Sequence, residues 1–330
     1  MIITAVVGTV LLVAVLTILL LQYTAGGGST TSGGSGPTTN TNYLIASTVT
    51  GSNTAPAPIV GPFSSLVATL NFIPSITNMI WIAANQSLSL SPSWLSGANY
   101  TAITSNQLTI FTVPEQSSQT TMILGFAGFA FNNDTNLPMD VDIPYGASVV
   151  FSAPDAATHT VDISLPLTLP GTLTDYMVFA TNGDQAANIA FFTGAQVIDP
   201  STIRIVYYGA YTGLARVNFI ILKSKTTTSL TRPLAYAETK TVSVTAPSGY
   251  TTTNITLQNP VPMSGRTNVW FAMMNTTTNT STAYGIEQIN DNTVAFSCNP
   301  GPLASVTVSY FCINGVSTAT GTSPGAQFSY

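Results

Sequence analysis

Charge is what this sequence has least of. Asp, Glu, Lys and Arg make up only 6 % of its 330 residues, against roughly a quarter in ordinary globular chains. All seven basic residues, Arg204, Arg216, Lys223, Lys225, Arg232, Lys240 and Arg266, lie in the second half. A nucleic-acid binder needs clustered cations to release counterions from phosphates. A chain of net charge −5 with no such cluster excludes that class. Histidine is nearly absent as well. The single His159 excludes multi-histidine metal sites and most histidine-based catalysis. Asp155 and Asp162 lie near it in sequence, but on a strand positions 159 and 162 point to opposite faces. Neither a Gly-x-Ser-x-Gly elbow, nor a P-loop, nor a Gly-x-Gly-x-x-Gly turn occurs. An enzyme is therefore the least expected class, and no cofactor is expected.

Cysteine is scarce too, with only Cys298 and Cys312. They end two strand-like runs, Thr-Val-Ala-Phe-Ser-Cys and Val-Ser-Tyr-Phe-Cys, separated by Asn299-Pro-Gly-Pro302. Neighbouring strands bring cysteines to bridging distance, so a disulfide is expected, with two buried free thiols as the alternative. A bridge closing so short a loop contributes roughly 3 kcal/mol and belongs to an oxidising compartment or a hyperthermophile.

Hydrophobic residues, by contrast, reach 45 %, and the 31 aromatics rule out a disordered composition. The polar remainder is mostly Thr, Ser, Asn and Gln, whose side chains do not titrate. Such a surface suits an exposed extracellular setting, including a hot or acidic one.

Met1–Thr24 contains no charged side chain. At about 1.5 Å per residue a helix over this run spans about 30 Å of hydrocarbon. An apolar run in lipid or a dry core must satisfy its own backbone, so a helix is expected over 1–24. It differs from a secretory signal, which has a positive start and a shorter core. It differs equally from an ordinary anchor, which carries Lys or Arg on its cytoplasmic flank. The reading that remains is a mature N-terminus from which a basic leader has been cut. Its helix then bundles with copies of itself through Ile2, Ile3, Val6, Val7, Val10, Leu11, Val13, Leu16, Leu19 and Leu20.

On the apolar run Met1–Gln22, the connector after it and the Thr/Ser/Asn-rich remainder, the chain resembles the archaeal type IV pilin-like proteins: pilins, archaellins and adhesion-filament subunits. The resemblance implies a leader removed ahead of the helix, a filament core of packed helices and β-rich heads outside. Position 5 is Ala5, where bacterial pilins carry glutamate, and no basic cleavage motif precedes the helix. It implies a structural subunit of an extracellular, cell-surface filament. Its partners would be copies of itself, the membrane before assembly, and cell-surface or abiotic ligands. The alternatives are a membrane-anchored spike or capsid-associated protein of an archaeal virus, and an anchored cell-surface binding protein.

Residues 25–42 are a Gly/Ser/Thr linker by composition. From Tyr43 the period becomes two. Strands are expected over 66–72, 78–83, 107–113, 147–153, 202–208, 215–222, 240–245 and 305–311, each bounded by Pro, Gly, Asn or Asp. The expected fold is mainly β, with one large or two β-sandwich, Ig-like lobes. The best division lies in the Thr-rich stretch around 224–238, giving lobes over 43–230 and 231–330. No internal repeat is apparent.

Six Asn-x-Ser/Thr sequons, at Asn85, Asn99, Asn133, Asn254, Asn275 and Asn279, are glycosylation candidates on an exported chain. Asn275 and Asn279 are the most loop-like. Asp134, Asp140 and Asp142 could offer oxygens to Ca²⁺, although their spacing is not that of an EF-hand and turn chemistry explains them more simply.

Overall fold

The computed structural model describes residues 43–52, 64–69, 79–86, 88, 93–100, 107–114, 121–130, 142–154, 157–183, 190–209, 213–229, 234–244, 250–264, 266–278, 281–316 and 326–329. The expected helix over 1–24, with its assembly residues, and the expected linker over 25–42 lie outside them. The described chain is mainly β.

Eighteen of its strands fall into three groups of six. The first is β1 Tyr43–Ser52, β2 Ser64–Thr69, β3 Met79–Asn85, β4 Ser93–Tyr100, β5 Gln107–Pro114 and β6 Thr121–Ala130. The second is β7 Tyr145–Ala153, β8 Thr158–Ser164, β9 Tyr176–Asn182, β10 Ala190–Asp199, β11 Thr202–Gly209 and β12 Gly213–Lys223. The third is β13 Leu234–Ser243, β14 Thr251–Thr256, β15 Arg266–Met274, β16 Thr282–Asn290, β17 Thr293–Asn299 and β18 Ser305–Val316. A last strand, β19 Ala326–Ser329, lies along β1.

The three groups share one topology. In each, the first, sixth and third strands form one ladder and the second, fifth and fourth form another. These are β1-β6-β3 with β2-β5-β4, β7-β12-β9 with β8-β11-β10, and β13-β18-β15 with β14-β17-β16. Neighbouring units share sheets. The fourth strand of one unit runs parallel to the third of the next, β4 beside β9 at Gly97–Asn182 and β10 beside β15 at Gly194–Met274. β16 lies against β3 in the corresponding place, so the three units close on one another.

The sequence carries faint traces of this repeat. The third strands reach an asparagine at or one residue past their ends, in Ala83-Ala-Asn85, Ala180-Thr-Asn182 and Met273-Met-Asn275. Each fourth strand slips register against its fifth just before a glycine, at Leu95/Gly97, Phe192/Gly194 and Ala283/Gly285. Gly194 shows why a side chain is excluded there. A Cβ would sit 2.6 Å from Thr276 Cγ2 and 3.1 Å from the Thr276 carbonyl oxygen of the next unit. The expectation of no internal repeat is thus corrected. The units share positions and hydrogen bonding, while few equivalent residues are identical.

The third strands meet in a pinwheel, each touching the other two. The end of β9 abuts the middle of β3, where Thr181 Oγ1 donates to the Trp81 carbonyl over 3.4 Å. The end of β3 abuts the middle of β15. There the Gln86 side chain accepts from Trp270 N at 2.9 Å and donates back to the Trp270 carbonyl, as a strand backbone would. One apolar core runs through this junction and includes Ile82 and Phe129, Val178 and Phe219, Phe271 and Phe311 from the three units in turn. A second core lies inside the third unit, around Tyr236, Trp270, Phe296 and Tyr310. Burial explains the patterning. β7 is an edge strand and alternates, whereas β9 is buried along its whole length and reads as a continuous run.

The expected division at 230/231 falls between β12 and β13, hence between the second and third units. The stretch 43–230 contains two units, and both a sheet and the main core run across the division. The Ig-like expectation is corrected too. An immunoglobulin sandwich pairs its first strand with its second, whereas here the first strand of each unit pairs with the sixth.

Candidate functional site

Among the described residues the charged side chains lie outside the first unit, and several have local partners. On β8, His159 turns inward and its ring lies 5.7 Å from that of Tyr207. Tyr207 packs in turn on Phe151 at 4.8 Å and on Phe192 at 6.3 Å. Asp162 points to the opposite face of the same strand. Arg204 donates to both its oxygens, Nε to Oδ1 and Nη2 to Oδ2, each over 2.6 Å. These bonds hold the Asp162 carboxyl below its usual range. Histidine and aspartate therefore do not converge, and Asp155 lies outside the described residues.

Of the three calcium candidates only Asp142 is described, and it forms an ion pair with Lys225 (Nζ to Oδ2, 2.7 Å). Asp134 and Asp140 lie outside the described residues. Among the described residues no three His, Cys, Asp or Glu side chains gather closely enough to hold a metal.

The sequons separate by burial. Asn85 is only 3 % exposed at the pinwheel junction, which leaves a glycan no room on the folded chain and removes it from the candidates. Asn254 is exposed on β14. Asn275 is half-buried with Oδ1 enclosed. Asn99 lies on β4, while Asn133 and Asn279 lie outside the described residues.

The disulfide expectation is corrected. Cys298 and Cys312 are both buried free thiols. Although β17 and β18 are consecutive, they are not a hairpin. The chain passes from one sheet of the third unit to the other between them, so β17 pairs with β14 and β16, and β18 with β13 and β15. Burial pushes the Cys298 thiol up to about 12 and raises that of Cys312 well above its ordinary value. Thiolate is the reactive form. Iodoacetamide at pH 8 is therefore expected to label neither cysteine in the folded chain and both in denaturant, as read by intact mass. A mass two hydrogens short without reductant would reinstate the bridge.

Two polar features escaped the sequence reading. In the third unit, the hydroxyls of Tyr236 (2.7 Å) and Tyr310 both donate to Glu238 Oε2, and Gln258 N donates to Tyr236 Oη at 2.9 Å. Burial first, and then the bond to Glu238, pushes both phenols far above their ordinary value. Glu238 alone hinted at this, as an acid directly after the apolar run Leu234-Ala-Tyr-Ala237. The second feature is a cavity of about 50 Å³ at the pinwheel, lined by Asn85, Phe179, Thr181, Thr193, Met273 and Tyr284 among others. It has room for about three waters and is well below the several hundred Å³ of an organic ligand site.

No family model, curated protein or solved structure matches the chain. What the fold itself defines is a mainly β body of three related units, with few charges.

Proposed function

We propose that the chain is the structural subunit of an extracellular archaeal type IV pilus-like filament, used in adhesion or motility, which polymerises through residues 1–24. The observation that carries this reading is the uncharged apolar run Met1–Thr24, joined through a Gly/Ser/Thr linker to a body with almost no charge. Each unit of that body sets two three-stranded ladders against each other as a small β-sandwich. Burying the large apolar side chains of the run among copies of itself contributes roughly 1.5–3 kcal/mol for each one fully buried. Over some ten such residues this exceeds the cost of association, which is of order 4–15 kcal/mol. The apolar cores of the body support a head that folds without the helix. Its hydroxyl- and amide-rich surface suits exposure outside the cell, with Asn254 placed to carry a glycan.

Deleting residues 1–24 is expected to convert filaments, seen by electron microscopy, into a soluble head that sediments as a small, discrete species. Filaments that persist without the run would sink the proposal. A full-length chain that remains in membranes and never forms filaments would favour the anchor reading instead.

A further inference from the structure

The first strand of each unit lies at or near the outer edge of its sheet, and the three edges are finished differently. In the first unit, β19 covers β1 over Tyr43–Ala46. In the third, the preceding segment covers β13. Lys225 N donates to the Ala237 carbonyl at 2.7 Å, Ala237 N returns a bond to the Lys225 carbonyl at 2.9 Å, and Ser229 N donates to the Ala235 carbonyl at 3.1 Å. The rest of β13 carries Glu238 and Lys240, and its register slips at Leu234/Tyr236. Charges, irregularities and covering segments are the means by which sheet edges avoid joining other sheets.

Among the described residues β7 has none of these within its length. Tyr145–Ala153 contains no charged residue and no proline, and its register with β12 runs unbroken from Tyr145–Ile221 to Ala153–Gly213. Among the described residues it is the terminal strand of a six-stranded sheet. Ser148, Val150 and Ser152 face solvent, with Val150 46 % exposed. Leu214, opposite Ser152 on β12 and so diagonal to Val150, is 62 % exposed. Among the described residues, an uncovered edge is thus flanked by an exposed apolar pair.

The sequence of the edge specifies its occupant. Ala147-Ser-Val-Val-Phe-Ser-Ala153 is nearly palindromic about Val150. We propose that β7 pairs antiparallel with β7 of a second copy of this chain, about a two-fold axis at Val150. Val150 then faces Val150 of the partner subunit, and Ser148 faces the partner's Ser152. Val149 faces the partner's Phe151, and Ala147 faces the partner's Ala153. Opposed side chains match in polarity, and no like charges meet. The contact is isologous, the same patch serving both copies, and main-chain hydrogen bonds supply its affinity, as in other cases of strand addition. Two six-stranded sheets become one. The pairing uses nothing from residues 1–24, so it operates between heads in one filament or between two filaments, and it stands or falls apart from the filament proposal.

Single cysteines placed in the full chain test both the contact and its register, because Cys298 and Cys312 are fully buried and do not compete. Under mild oxidation, Val150→Cys is expected to give a covalent dimer on non-reducing denaturing electrophoresis. It should form on the order of tenfold faster than with Thr252→Cys, an exposed control on β14. Ser148→Cys or Ser152→Cys alone should give little dimer, whereas an equal mixture of the two should cross-link. Val150→Lys, which leaves the ladder to β12 intact, should lower the sedimenting mass of the detergent-solubilised chain with its melting curve unchanged. The proposal is overturned if Val150→Cys cross-links no faster than the control, or if Ser148→Cys alone matches it.

Discussion

Replacing Phe179 with alanine is expected to lower the melting temperature by on the order of 10 °C, in a single transition that all three units share. The ring is 4 % exposed. It meets Phe271 edge-on at 5.6 Å and Phe311 edge-on at 5.5 Å, and those two rings stack on each other at 4.8 Å. Its strand, β9, belongs to the second unit, while Phe271 and Phe311 belong to the third. Truncation of a buried phenylalanine costs about 3–5 kcal/mol, a large part of the roughly 5–15 kcal/mol that holds a typical domain folded. The interaction spans units that also share a sheet, so the loss should not be confined to one of them. Circular dichroism and tryptophan fluorescence measure this together, since Trp81 and Trp270 report on the first and third units. Two separate melting steps, with only one shifted, would show that the units fold independently.

Removing the Glu238 carboxylate should be about as costly. Glu238→Ala leaves the hydroxyls of Tyr236 and Tyr310 without their acceptor in a buried site. An unsatisfied buried hydroxyl costs about 1–3 kcal/mol, so the pair is expected to cost roughly 2–6 kcal/mol. Glu238→Gln, which keeps an acceptor oxygen, should recover much of the loss. The same cluster sets the alkaline limit. Both phenols have folded-state pKa values raised above the unfolded value near 10. Their contribution is therefore complete below about pH 10 and is lost progressively as the pH rises above it. Denaturant midpoints measured from pH 8 to 12 should stay flat and then fall. Tyr310→Phe should leave the onset near pH 10 and make the fall about half as steep, because one phenol in place of two then loses its proton on unfolding. An unchanged slope in that variant would mean that other groups set the limit.

Much of the strand content was legible from short runs rich in Val, Ile, Thr and aromatics, bounded by turn residues. The expected runs at 107–113, 147–153, 202–208, 215–222 and 305–311 fall on β5, β7, β11, β12 and β18. β9 was not legible, because both its faces are covered and it has no polar side from which a period of two can be read. The threefold repeat was hidden for a related reason. What the units hold in common is long-range pairing of first strand with sixth, a register slip before a glycine, and an asparagine at the end of the third strand. Such features need only a handful of shared residues. The pair Cys298 and Cys312 misled because adjacency in sequence suggests a hairpin, whereas the connection crosses between sheets. Asn85 has a valid sequon, but a tripeptide carries no information about burial.

The pairing of first strand with last has a mechanical consequence. Tyr43 is where the body meets the preceding chain, and β1 is held along one side by β6 from Leu44 to Ser52 and along the other by β19 from Tyr43 to Ala46. Tension drawn along β1 from that end loads these rungs simultaneously, in shear, instead of peeling them apart one by one. The strand nearest the point of pull is thus gripped from both sides, so force arriving there is spread into the sheet before any single hydrogen bond has to bear it alone.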